Sequence, residues 1–110
     1  MANDISLTVR LPSELNQQLI TVSKNIGVTK TILIRFAIHE YLTDEKIIPD
    51  FSQTRVAQRE KFVFNMNQLT YTILEKCCQK YGQSMNAIIT AASILALEHF
   101  SKWLHPQDIP

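Results

Sequence analysis

A chain of 110 residues has room for one compact domain or two very small ones. With 45% apolar residues and only two glycines, Gly27 and Gly82, its composition favours packed helices over a sandwich or barrel. A formal net charge of +1 is weak support for polyanion binding by bulk charge, so any nucleic-acid contact has to come from locally placed groups. No segment combines a charged start, apolar core and small-residue cleavage site. The uncharged stretch from Ser84 to Leu97 is too short, and in places too polar, to span a bilayer. A cytoplasmic protein with no membrane partner is expected.

The chain opens on Ile5-Ser6-Leu7-Thr8-Val9-Arg10-Leu11, which alternates strictly and predicts a strand. Ile5, Leu7, Val9 and Leu11 share one face; Ser6, Thr8 and Arg10 share the other. Pro12 ends the strand and suits a helix start, with Ser13 as a candidate cap and Glu14 favourable in the first turn. Leu15, Leu19, Val22 and Ile26 then recur at helical spacing, and Gly27 fits a helix stop. Thr29 reads as the cap of a second helix from Lys30 to about Leu42, apolar on most sides and so enclosed by more than one partner.

Residues 43–60 contain Pro49 and seven charged side chains with no sustained period. They read as a linker, with a short helical turn near Arg55 to Glu60. At full extension it spans at most about 60 Å. Lys61-Phe62-Val63-Phe64-Asn65-Met66 alternates again, with Lys61, Val63 and Asn65 on one face. Asn67 can cap the following helix, whose apolar face is expected to carry Leu69, Ile73 or Leu74, Cys77 and Tyr81. Thr70 stands at the helix position that Leu15 holds after the first strand, which suggests a helix start shifted by a residue. Ser84 caps a last helix running to about Trp103, and residues 105–110 form a short tail expected to fray.

Adjacent Cys77 and Cys78 diverge on a helix, so no mutual disulfide is expected, and no Cys or His spacing suggests a metal. Surface or helix-end roles suit His39, His99 and His105. Trp103 is expected to cover the end of the core. No convergent acid, base or nucleophile is visible; the chain does not read as an enzyme and implies no cofactor.

The two halves repeat one layout at one offset: Leu11 falls on Met66, Leu19 on Leu74, Val22 on Cys77, Ile26 on Tyr81 and Gly27 on Gly82. Residues 1–42 and 61–104 are therefore two copies of a strand–helix–helix unit. One unit alone leaves a strand without a partner and a helix with two apolar sides. Pairing the two about a pseudo-two-fold axis solves both problems, with four helices over the apolar face of an antiparallel ribbon. The predicted fold is mostly α with a two-stranded antiparallel β-ribbon, the two repeats forming one domain as an intrachain pseudo-dimer. Two chains exchanging halves is the alternative assembly.

The run Leu7-Thr-Val-Arg-Leu-Pro-Ser-Glu-Leu15 with Gly27-Val-Thr-Lys-Thr31, and the later Gly82-Gln-Ser-Met-Asn86, resemble the ribbon-helix-helix (Arc/MetJ/CopG-like) DNA-binding family. The tandem form is similar to TraY-type conjugation proteins. The resemblance implies double-stranded DNA as partner, with Ser6, Thr8, Arg10, Lys61, Val63 and Asn65 presented to base edges. It also implies that the helix starts Thr29, Lys30, Thr31 and Ser84, Met85, Asn86 anchor phosphates through their N–H groups. Arg10 suits guanine O6/N7, Asn65 adenine N6/N7, and Val63 a thymine methyl. Expected roles are a transcriptional regulator such as a repressor, or a plasmid or conjugation accessory factor, with further self-association along DNA or a protein partner in a nucleoprotein complex. The rival reading is a helical protein-interaction module, antitoxin-like or an adaptor, without base readout.

Overall fold

A computed structural model describes residues 5–43 and 59–103. Strand β1 (Ile5–Pro12) and strand β2 (Arg59–Met66) form a two-stranded antiparallel sheet. Their register runs from Ile5 opposite Met66 to Pro12 opposite Arg59, with Thr8 opposite Val63 near the centre. Thr8 and Val63 are also equivalent positions of the two repeats. Ser6 is equivalent to Lys61 and pairs with Asn65; Arg10 is equivalent to Asn65 and pairs with Lys61. A pseudo-two-fold axis therefore passes through the central rung. The apolar faces hold this register, because a one-residue slip would turn Val9, Leu11, Phe64 and Met66, each at most 1% exposed, toward solvent.

Helix α1 (Ser13–Ile26) and helix α3 (Gln68–Tyr81) follow their strands at the same offset. Both stop at a glycine in the left-handed region, Gly27 at φ 90° and Gly82 at φ 63°, a conformation that strains any residue with a Cβ. Helix α2 (Lys30–Ala37) is capped by Thr29, whose hydroxyl accepts the Ile32 N–H. Helix α4 (Met85–His99) is capped by Ser84, which accepts the Ala87 N–H. Every residue from Ala87 to Ser93 is buried, so α4 is the central helix of the packing. Its buried hydroxyls donate within the helix, Thr90 to the Asn86 carbonyl and Ser93 to the Ile89 carbonyl, and so cost little.

Several expectations are corrected. Arg59 and Glu60, expected in the linker and its short helical turn, belong to β2, because β1 continues through Pro12 and gives them partners. The remainder of that turn, and the tail from His105, lie outside the described residues. Ser13 is not a cap: Pro12 occupies the N-cap position, with no side-chain hydrogen bond. Helix α3 starts in register with α1. Thr70 takes the place of Leu15 and is fully buried, its hydroxyl donating to Asn67 Oδ1 at 3.0 Å. Leu69, expected on the apolar face, is 62% exposed as a result.

The second helix of the first repeat is α-helical only to Ala37 and continues as a π-helix from Ile38 to Leu42. The wider turn accommodates Ile38 and Leu42 in the core while His39 Nε2 reaches Thr70 Oγ1 at 2.8 Å and Tyr41 meets His99. At the other end of the chain α4 closes at His99, not Trp103. Phe100 caps it, and a 3-10 turn from Ser101 to Trp103 folds Trp103 back against the core, where its carbonyl accepts from Asn25. Cys77 is buried and Cys78 half-buried, and the two are not joined in a disulfide.

His39 therefore belongs to a capping network, not to the open surface. Because the Thr70 hydroxyl donates to Asn67, it accepts from His39 Nε2–H. Burial, and secondarily the positive charge of Arg35, lower the His39 pKa below its ordinary value of 6.5. The folded state prefers neutral imidazole, so this contribution to stability is complete above pH 6.5 and is lost as pH falls through the lowered folded value. Thermal melting across this range should show a steeper acid decline for the wild type than for His39→Gln; superimposable profiles would contradict the assignment.

Since β1 finds its partner within the chain, the protein is expected to sediment as a folded monomer with a concentration-independent melting temperature. A melting temperature that rises with protein concentration would instead indicate exchanged halves.

Candidate nucleic-acid interface

Strand alternation puts the polar residues of both strands on one surface. Ser6, Thr8, Arg10, Lys61, Val63 and Asn65 are all exposed there, and the register arranges them as three rungs. Ser6 faces Asn65 at one end, Thr8 faces Val63 at the middle, and Arg10 faces Lys61 at the other end. The sequence brings all six together as expected.

The rungs differ chemically. Ser6 Oγ donates to Asn65 Oδ1 at 2.7 Å, which fixes the orientation of the Asn65 amide and leaves its NH2 group as a donor. Val63 is 57% exposed, an apolar side chain displayed on an otherwise polar face. Arg10 and Lys61 set two positive charges directly opposite each other, an arrangement that disfavours strand pairing unless an anion or a field of acceptors is brought to it. The ribbon face is thus cationic at one end and neutral at the other, although the whole chain is close to electroneutral.

A helix N-terminus flanks each strand. The start of α4 lies beside β1, where the Asn86 side chain meets Arg10, and the start of α2 lies beside β2, where the Lys30 ammonium sits 3.9 Å from the centre of the Phe62 ring. Leading N–H groups of both helices point out of the N-terminal turn, where no intrahelical carbonyl can reach them. Thr29 and Ser84 are the exposed caps, while Thr31 and Met85 are half-buried.

The two flanks are unlike in their side chains. Lys30 Nζ donates to Asn16 Oδ1, and Asn16 Nδ2 donates to Glu60 Oε2 at 3.0 Å. Gln17 Nε2 also donates to the Glu60 carboxylate, at 3.2 and 3.4 Å. Burial lowers the Lys30 pKa, and the charge of Glu60 opposes that shift. The Lys30 side chain is therefore committed to this network, and a contact to an anion from the start of α2 would fall to its backbone N–H groups. At the other flank the pseudo-symmetric equivalents of Lys30, Asn16 and Glu60 are Met85, Tyr71 and Ile5, all packed against the core.

Arg59 and Glu60 were not singled out from the sequence as parts of this surface, and Asn86, expected there only as a phosphate anchor through its N–H, takes a further part through its side chain. Asn86 Oδ1 accepts the Arg10 N–H at 2.8 Å and its Nδ2 donates to the Arg10 carbonyl at 3.0 Å, so the amide pairs with backbone. Arg59 Nη1 donates to the same carbonyl at 3.2 Å. Glu60 anchors the Lys30 network. The position of Glu60 just before an alternating run is a weak sequence sign, but nothing in the spacing of Asn86 shows that it would reach a strand so distant in sequence.

Among the described residues, no group of His, Cys, Asp and Glu side chains could hold a metal ion, and no helix is long and apolar enough to cross a membrane. Compared with protein-family models, curated proteins and solved structures, the chain matches none, so the reading of this surface rests on its own geometry.

Proposed function

We propose that the protein is a sequence-specific double-stranded DNA-binding protein that inserts its β-ribbon into the major groove. The observation that carries this reading is the outer face of the ribbon: six exposed side chains in three rungs, ending in opposed cations at Arg10 and Lys61. A two-stranded ribbon fits a groove about 12 Å wide and holds its alternate side chains toward the base edges. Arg10 is suited to guanine O6 and N7, Asn65 to adenine N6 and N7, and Val63 to a thymine methyl. The helix starts beside each strand would receive phosphates on either side of the groove.

The reading fits a non-catalytic member of the ribbon-helix-helix class in tandem form, acting as a repressor or other transcriptional regulator, or as an accessory factor in plasmid maintenance or conjugation. Because a cationic rung faces one end of the site and an amide rung the other, the preferred site is asymmetric. A second reading, a protein-interaction module, draws support from Ile32, which is 50% exposed beside Arg35, Phe36 and His39.

Selection from a random duplex pool separates the two. DNA readout is expected to enrich one asymmetric motif whose affinity falls steeply as salt rises. Recovery of perfect inverted repeats alone would contradict intrachain pairing. No enrichment by the folded protein would leave the interaction module as the better account.

A further inference from the structure

We infer that Asn86 is a positioning residue that holds Arg10 for base readout and makes one half of the ribbon more rigid than the other. The inference deepens the DNA-binding reading and depends on it.

The geometry is that of a strand partner supplied by a side chain. Arg10 lies on a two-stranded sheet, so among the described residues the edge of β1 facing away from β2 meets no third strand. An open edge leaves backbone groups to water and lets the strand bend. At Arg10 the Asn86 amide closes that edge, accepting the N–H at 2.8 Å and donating to the carbonyl at 3.0 Å. Arg59 reaches the same carbonyl from β2, so this one peptide segment is held by both neighbours. Asn86 is itself seated in the first turn of α4, the most buried helix, with Ser84 capping that turn. The base of the Arg10 side chain is thereby tied to the core of the molecule.

The other half offers a built-in comparison. By the offset that relates the repeats, Asn65 stands where Arg10 stands and Thr31 stands where Asn86 stands. Threonine offers a single oxygen that must serve as both donor and acceptor, in place of the two separated groups of an amide. Asn65 is steadied instead at its side chain, through Ser6. A long, flexible arginine gains most from a fixed backbone, since the freedom lost on forming two parallel hydrogen bonds to one base is reduced in advance.

The test compares base preferences position by position for the full chain and two variants, Asn86→Ala and the near-isosteric Asn86→Asp, against duplexes from the random-pool selection at one fixed salt. Melting curves establish that each variant is folded. The expected result is a loss of about fivefold or more in discrimination at the base pair read through Arg10, with preference at the pair read through Asn65 retained. Asn86→Asp keeps the acceptor for the Arg10 N–H but turns a lone pair toward its carbonyl, so it should show the same local loss even if Asn86→Ala does not fold.

An equal weakening at every position, with the preference profile unchanged, would overturn the proposal and reduce Asn86 to a phosphate or stability role. A profile unchanged in both shape and strength would overturn it as well. If the wild type itself selects no motif, the DNA-binding reading fails and this inference goes with it; a wild-type motif together with unaltered variants defeats the inference alone.

Discussion

An Arg10→Ala variant is expected to lose about 1–3 kcal/mol of affinity for its selected site while binding random duplex DNA nearly as well as the wild type. The arginine is exposed on the outer face of the ribbon, and its backbone is held by Asn86 at both N–H and carbonyl and by Arg59 at the same carbonyl. A side chain leaving a fixed point can form two hydrogen bonds to one guanine, and its loss should relax preference at that one pair. Folding stability should move the opposite way or not at all. Removing Arg10 relieves its opposition to Lys61, and like charges directly across a ribbon disfavour pairing by roughly 0.2–1 kcal/mol. A variant with an unchanged selected motif would take Arg10 out of base readout.

The largest effect on folding is expected from Phe64→Ala, at about 3–5 kcal/mol. Phe64 has no exposed surface and lies on the inner face of β2, its ring edge-on to Phe62 with centroids 6.3 Å apart. A domain of this size has roughly 5–15 kcal/mol of stability in total, so the variant should unfold at a much lower urea concentration and bind no DNA at temperatures where the wild type does. Its neighbour is the control. Val63 is 57% exposed on the other face, and Val63→Ala should shift stability by no more than about 0.5 kcal/mol while weakening preference at the centre of the site. Equal urea midpoints for the wild type and Phe64→Ala would contradict the packing described here.

Much of the architecture was legible because it depends on local rules. Strict alternation over Ile5–Leu11 and Lys61–Met66 dictates which side chains share a face, and the glycines at 27 and 82 stop two helices by the same left-handed turn. The caps Thr29, Asn67 and Ser84 each act on an N–H group three residues ahead, within the reach of the local chain. At Thr70 and in the π-helix the expectation was misjudged because a distant residue intervenes. Thr70 looked like a shifted helix start because a hydroxyl in place of Leu15 is unfavourable alone; it is satisfied by Asn67 and His39, the latter from the other repeat. The π-helix from Ile38 to Leu42 is likewise shaped by partners, Thr70 and His99, that no local periodicity predicts.

Local patterning alone establishes that there are two strand–helix–helix units, which side chains each strand turns outward, and that neither unit can bury its apolar surfaces alone. Those outcomes follow from the two-residue period of a strand, the helical period of apolar residues and the single offset that relates the repeats. Tertiary structure decided what happens at the ends of that ribbon. Only when α4 packs beside β1 does Asn86 meet the backbone of Arg10, and only when α2 packs beside β2 is Lys30 drawn to Asn16, Phe62 and Glu60. The physical reason is range: periodicity and capping act within a few residues, whereas a side chain closing the edge of a strand 76 residues away exists only after the chain has folded.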